Sequence, residues 1–142
     1  MIQKKLHRAI EEDARSFDAV MAAFRLPRDE EKQRLRRSGV IQKAYQKATI
    51  APQKVCELSL QLLEFSKFLL QKGNQNAFSD TGVAAYLANA ALNGGMLNIR
   101  INLGSIRDKG FRSEKEGFMR RLTQKQDHLM TEIQKVIRSC AS

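Results

Sequence analysis

Apolar residues along the first two dozen positions fall at helical spacing. Leu6, Ile10, Phe17, Val20 and Phe24 share one face, and Asp13 stands where the series would place another apolar side chain. The pattern predicts a helix over roughly residues 2 to 25, ended by Pro27, which disfavours a helical conformation at Leu26. A second helix is expected after Pro27, with Asp29, Glu30 and Glu31 in its first turn, where carboxylates suit the positive end of the helix dipole. It should run through Pro52, which kinks or breaks it, to a cap at Gly73. The half before Pro52 is mostly polar. The half after it carries Val55, Leu58, Leu60, Leu62, Leu63, Phe65, Phe68, Leu69 and Leu70 on more than one face, as a buried helix does.

A third helix is predicted from "SDTGVAAYLANAALNGGMLNIRIN", with Ser79 or Asp80 as its N-cap. No charge occurs from Thr81 to Ile99, yet the segment holds Asn89, Asn93, Asn98 and Asn102. Ala84, Ala88, Ala91, Gly95, Asn98 and Asn102 step by four, three, four, three and four, so a small-residue stripe ends in two amides one turn apart. This helix is expected to be central, its alanines and glycines letting neighbours approach closely. Asn98 and Asn102, if buried, must then bond to another helix, a partner chain or a ligand, since an unpaired buried amide costs on the order of 1 to 3 kcal/mol. Asn89 and Asn93 lie to one side and are expected in solvent. In a fourth helix Phe118, Leu122, Leu129, Ile133 and Val136 form an amphipathic stripe. The expected fold class is all-α: a helical bundle in one domain, residues 1 to 142, around a buried central helix.

Composition narrows what such a bundle meets. A 142-residue chain with 42% hydrophobic content can bury roughly 70% of its unfolded surface around one core. Its net charge of +10 attracts anions. Cys56 and Cys140 are too few for a disulfide framework and have no metal-ligand spacing, which fits a reducing cytoplasm. His7 and His128 add no metal site, and neither a secretory leader nor a membrane span is expected. Two tyrosines, no tryptophan and basic residues scattered among acids argue against an RNA-binding surface or a basic scaffold, and Arg34, Arg36 and Arg37 read as a solvated helix face. No phosphate loop, dinucleotide fingerprint or nucleophile triad can be assembled. Asp13 has two readings. Desolvation in the apolar seam would raise its pKa toward neutrality and suit it to proton transfer, or it pairs with a Lys or Arg from another helix. Asp18, Glu11 and Glu12 are expected off the seam, in solvent.

Three blocks in order, "EDARSFDAVMAAFRLPRDEE", "TIAPQKVCELSLQLLEF" and "KGNQNAFSDTGVAAYLANAALNGGMLNIRINL", resemble the formimidoyltetrahydrofolate cyclodeaminase and methenyltetrahydrofolate cyclohydrolase family over about Glu11 to Leu103. The resemblance implies an all-helical homodimer that closes 5-formimidoyltetrahydrofolate to the 5,10-methenyl form with release of ammonia, or acts as a cyclohydrolase at the same one-carbon bridge. It implies no cofactor, a folate substrate whose polyglutamate tail would meet the basic surface, and neither a membrane nor a nucleic-acid partner. Asp13 becomes the candidate acid/base, with Asp80, Asn98 and Asn102 as candidate substrate-binding residues. Asp80 and Asn98 are 18 residues apart on one helix, about 27 Å at 1.5 Å per residue, so either two copies build one pocket or one of the two is structural. Family members also carry an upstream Gly-rich turn of "PGGGS" type that is not in this sequence, and a truncated, folate-binding relative without turnover is the accompanying expectation.

Overall fold

The computed structural model describes residues 1–140 and contains five α-helices, one short 3-10 turn and no strand among them: α1 (Ile2–Phe24), α2 (Glu31–Ala48), α3 (Ile50–Lys72), the turn Gln75–Ala77, α4 (Phe78–Gly104) and α5 (Lys109–Cys140). The expected second helix is thus two. α2 and α3 meet at Thr49, and Pro52 lies in the first turn of α3, where the ring costs least. Pro52 has no N–H to offer the carbonyl of Ala48, four residues before it, and that carbonyl instead accepts the Asn102 amide at 3.1 Å.

α3 and α4 form the central pair, with α5 packed on both and the α1–α2 hairpin packed through α1 on α3 and through α2 on α4. Cys56, Leu60, Leu63, Leu92, Ile99, Leu122 and Ile133 are among the residues that fill the main core, and a smaller cluster of Val20, Ala23, Ala44 and Ala48 joins α1 to α2. Gly95 sets the closest approach within the central pair. A Cβ there would stand 2.6 Å from Cys56 Sγ and 2.9 Å from the Pro52 carbonyl oxygen. Gly73 ends α3 as expected, although its backbone is extended (φ −84°, ψ −170°) rather than left-handed.

Several expectations need correcting. The third predicted helix, α4, is buried on one face only. Gly82, Ala85, Ala88, Leu92, Gly95, Met96, Ile99 and Leu103 face the core, while Ala84, Ala91 and Asn98 of the predicted stripe are exposed. Ser79 and Asp80 lie inside the first turn of α4, whose N-cap is Ala77, because the 3-10 turn already delivers the chain in helical conformation. Asn89 and Asn93 are not simply solvated. Their Oδ1 atoms accept both hydrogens of Gln126 Nε2, at 2.6 and 3.0 Å, and Gln126 is itself buried on α5. Arg37 is likewise engaged: its guanidinium donates to the Phe24 carbonyl at 3.0 and 3.3 Å, at the C-terminus of α1 where a cation suits the dipole. The α5 stripe is as expected, with Leu122 and Ile133 buried and Phe118, Leu129 and Val136 partly so. No helix is long and apolar enough to cross a membrane among the described residues.

Candidate active site

Three of the four residues singled out from sequence come together. Asp13 of α1 and Asn98 and Asn102 of α4 line one cavity of about 310 Å³, walled by Phe17, Val20, Met21 and Phe24 of α1, Tyr45 and Ala48 of α2, and Ile101 of α4. The volume lies within the range of small-molecule sites, and an apolar wall with a few convergent polar groups is their usual composition. Asp80 is not there. It stands in the exposed first turn of α4, at the other end of the helix from Asn98 and Asn102.

The seam of α1 explains the position of Asp13 and corrects its surroundings. Only Ala9, Val20 and Ala23 of α1 are buried, whereas Ile10 is 67% and Phe17 63% exposed. Apart from Val20, which also joins the small α1–α2 core, the predicted apolar face therefore forms the cavity wall and the surface beside it. Asp13 is exposed in the single chain and has no ion-pair or hydrogen-bond partner among the described residues, so neither burial in a seam nor a structural pair describes it. The interhelical ion pair belongs to its neighbour: Glu12, expected in solvent, meets Lys54 of α3 at 2.7 Å, and that ammonium holds the Glu12 carboxyl below its ordinary range.

The amides differ from one another. Asn102 is half-buried, and a carbonyl partner can only accept, so its bond to the Ala48 oxygen fixes the amide with NH2 toward α2. Its Oδ1 is left to accept from whatever occupies the cavity. Asn98 is exposed and makes no hydrogen bond among the described residues, leaving its whole donor and acceptor set available. Opposite them, Phe24 and Tyr45 meet edge to face, centroids 6.3 Å apart at 84°, with the Arg37 guanidinium 5.5 Å from the Phe24 centroid. These contacts order two walls of the cavity.

Sequence reasoning missed Tyr45. Its signal is the Ile41, Ala44, Tyr45, Ala48 spacing on an otherwise polar helix, which marks the narrow face that α2 turns toward α1. Other hollows do not compete on chemistry. One of about 500 Å³ between α4 and α5 has Arg100, Glu116, Met119, Arg120, Thr123 and Gln124 around it and brings together none of the four candidate residues. Cys56 offers no reactive thiol, since burial pushes it up to about 12. No cluster of three or more metal-ligating side chains occurs among the described residues.

Known proteins share this arrangement of helices. A methenyltetrahydrofolate cyclohydrolase from Methylorubrum extorquens is 32% identical over 114 residues, which are 80% of this chain and 55% of that protein. A formimidoyltransferase-cyclodeaminase from Rattus norvegicus is 32% identical over 105 residues, 74% of this chain and 19% of that protein. The chain therefore spans about half the length of the first relative and a fifth of the second. The crystal structure of a formiminotetrahydrofolate cyclodeaminase from Thermotoga maritima superimposes with a TM-score of 0.86 at 25% identity, covering 99% of this chain and 66% of that one. The model of the formiminotransferase-cyclodeaminase family matches residues 1–138, and the chain belongs to that family.

Proposed function

We propose that the residues described form one helical domain that binds a reduced folate in the cavity between α1, α2 and α4 and closes 5-formimidoyltetrahydrofolate to 5,10-methenyltetrahydrofolate. The observation that carries this reading is the meeting of Asp13 with Asn98 and Asn102 in one aromatic-walled cavity, from helices far apart in sequence. In the reaction, the formimidoyl nitrogen is protonated, the N10 lone pair attacks the adjacent carbon to form a C–N bond, and the C=N π pair moves to the nitrogen, which becomes an amine. N10 then gives up its proton, the amino nitrogen takes one, and the bond from carbon to that nitrogen breaks to release ammonia and leave the methenyl cation. One carboxylate within reach of both nitrogens suffices to carry the proton, and Asp13 is the acid of this cavity. The Asn102 Oδ1 and the free amide of Asn98 would accept from and donate to the ring edge, with Phe17, Phe24 and Tyr45 packed on its faces.

A second reading has its own support. The cyclohydrolase relative matches 80% of this chain, and the same proton carrier serves a water that attacks the methenyl carbon, loses a proton to Asp13 and opens the bridge to a formyl group. The two substrates, supplied separately to purified protein, separate the readings. Ammonia release supports cyclodeamination, hydrolysis of the methenyl form supports the cyclohydrolase, and binding of both without conversion leaves a folate-binding relative. Failure to bind either sinks the folate assignment.

A further inference from the structure

Tyr45 brings a hydroxyl as well as a ring to the cavity. The residue is half-buried on α2, and its hydroxyl forms no hydrogen bond among the described residues, so its proton is uncommitted. Nor is that hydroxyl sealed inside the protein, because the Ser59 hydroxyl is the only buried side-chain nitrogen or oxygen left without a partner among the described residues. The ring, by contrast, is held. The Arg37 guanidinium donates twice to the Phe24 carbonyl, at 3.0 and 3.3 Å, and lies 5.5 Å from the Phe24 centroid, and the Phe24 ring meets Tyr45 edge to face at 6.3 Å. Little rotamer freedom then remains for Tyr45 to lose when a ligand binds.

What stands beside Tyr45 sets the chemistry that its hydroxyl meets. Tyr45 and Ala48 are three residues apart on α2 and so share a face, and the Ala48 carbonyl holds the Asn102 amide at 3.1 Å. That bond leaves the Asn102 Oδ1 to the cavity as an acceptor. The α2 wall therefore offers an acceptor next to a donor. A lactam, with a ring N–H beside a carbonyl, is the complement of that pair. A ring whose nitrogen is bare and whose neighbouring carbon carries an amino group is its mismatch, since the bare nitrogen would face the Asn102 Oδ1. The geometry points to Tyr45 as a specificity-determining residue whose hydroxyl donates to the carbonyl oxygen of a lactam edge while Asn102 accepts from the adjoining N–H. On the folate reading, on which this role rests, the lactam is that of the 4-oxo pterin ring, and a 2,4-diamino ring is the one disfavoured.

Phenylalanine at this position keeps the ring and removes the hydroxyl, so Tyr45→Phe separates packing from hydrogen bonding. Calorimetry on the wild type and the variant, with tetrahydrofolate and with its 4-amino counterpart tetrahydroaminopterin, reads the effect, and urea unfolding checks the fold. The wild type should bind tetrahydrofolate at least about tenfold more tightly than the 4-amino counterpart. Tyr45→Phe should weaken tetrahydrofolate about fivefold, as loss of one hydrogen bond does, leave the counterpart within about twofold, and unfold at the wild-type urea midpoint. An equal loss for both ligands means that Tyr45 acts by packing, and an undiminished affinity for tetrahydrofolate means that the hydroxyl does not touch it. A lowered midpoint means that the hydroxyl is bonded within the protein. Each of these overturns the inference and leaves the folate reading standing, as does a wild type that binds the two ligands equally. A wild type that binds neither defeats the folate reading and the role of Tyr45 together.

Discussion

At the level of single residues, the two cavity asparagines make opposite predictions. Asn98 is exposed and without a partner among the described residues, so Asn98→Ala should change stability by no more than about 0.5 kcal/mol. Loss of folate affinity in that variant, read by calorimetry, would therefore report binding and not folding. Asn102 also serves the fold, since it donates to the carbonyl that Pro52 leaves without a helical donor. Asn102→Asp sets a carboxylate against that carbonyl oxygen and should cost about 1 to 2 kcal/mol in urea unfolding, while Asn102→Gln should recover part of it. An unchanged midpoint for Asn102→Asp would show that the Ala48 contact carries no weight. Cys56 supplies a third check. Its folded thiol titrates near 12 against an ordinary 9.0, so folded and unfolded chains ionise alike below about pH 9 and the folded state loses relative stability as pH rises from there toward 12. In native protein at pH 8 a maleimide should modify Cys140 alone, and in denaturant both cysteines; rapid native labelling of Cys56 would contradict its burial.

At the level of elements, adjacent glycines on α4 separate the core face from the exposed one. Gly95→Ala gains up to about 1 kcal/mol of helix propensity but drives a methyl into Cys56 Sγ and the Pro52 carbonyl, so a net destabilisation of about 1 to 3 kcal/mol is expected in urea. Gly94→Ala meets open space within the chain and should raise stability in urea by up to about 1 kcal/mol through helix propensity alone. The sequence made the helices legible because their apolar spacing is strong: α1 ends within a residue of expectation. It also brought out Asp13, Asn98 and Asn102, which a fold-spanning cavity then unites. Which side of each amphipathic face is buried was not legible. The α1 seam and the uncharged α4 look like core in one dimension, and only the packing shows which side turns inward: Ala9, Val20 and Ala23 of α1 and Ala85, Ala88, Leu92 and Ile99 of α4 are buried, while Ile10, Phe17, Leu87 and Leu97 stay outside. A face meant for a ligand or a second chain has the same periodicity as one meant for the core. The Gln126 bridge to Asn89 and Asn93 was equally hidden, because a hydrogen bond between helices leaves no periodic trace.

At the level of the whole molecule, the net charge of +10 is the term that does not act through any one contact. A folate with a longer glutamate tail should bind more tightly than the monoglutamate, and the difference should shrink as salt rises, because exposed cations act on the tail through screened electrostatics. A tail-independent affinity would remove the basic surface from substrate recognition. The cavity and the carboxylate in it converge on one claim: Asp13 moves the proton at a folate one-carbon bridge. Turnover by the full chain and by Asp13→Asn, on whichever of the two substrates the wild type converts, tests it most directly when folate affinity is measured on the same preparations. The account predicts comparable binding by both and a rate about 100-fold or more lower in Asp13→Asn. Near-equal rates in the two proteins would contradict it.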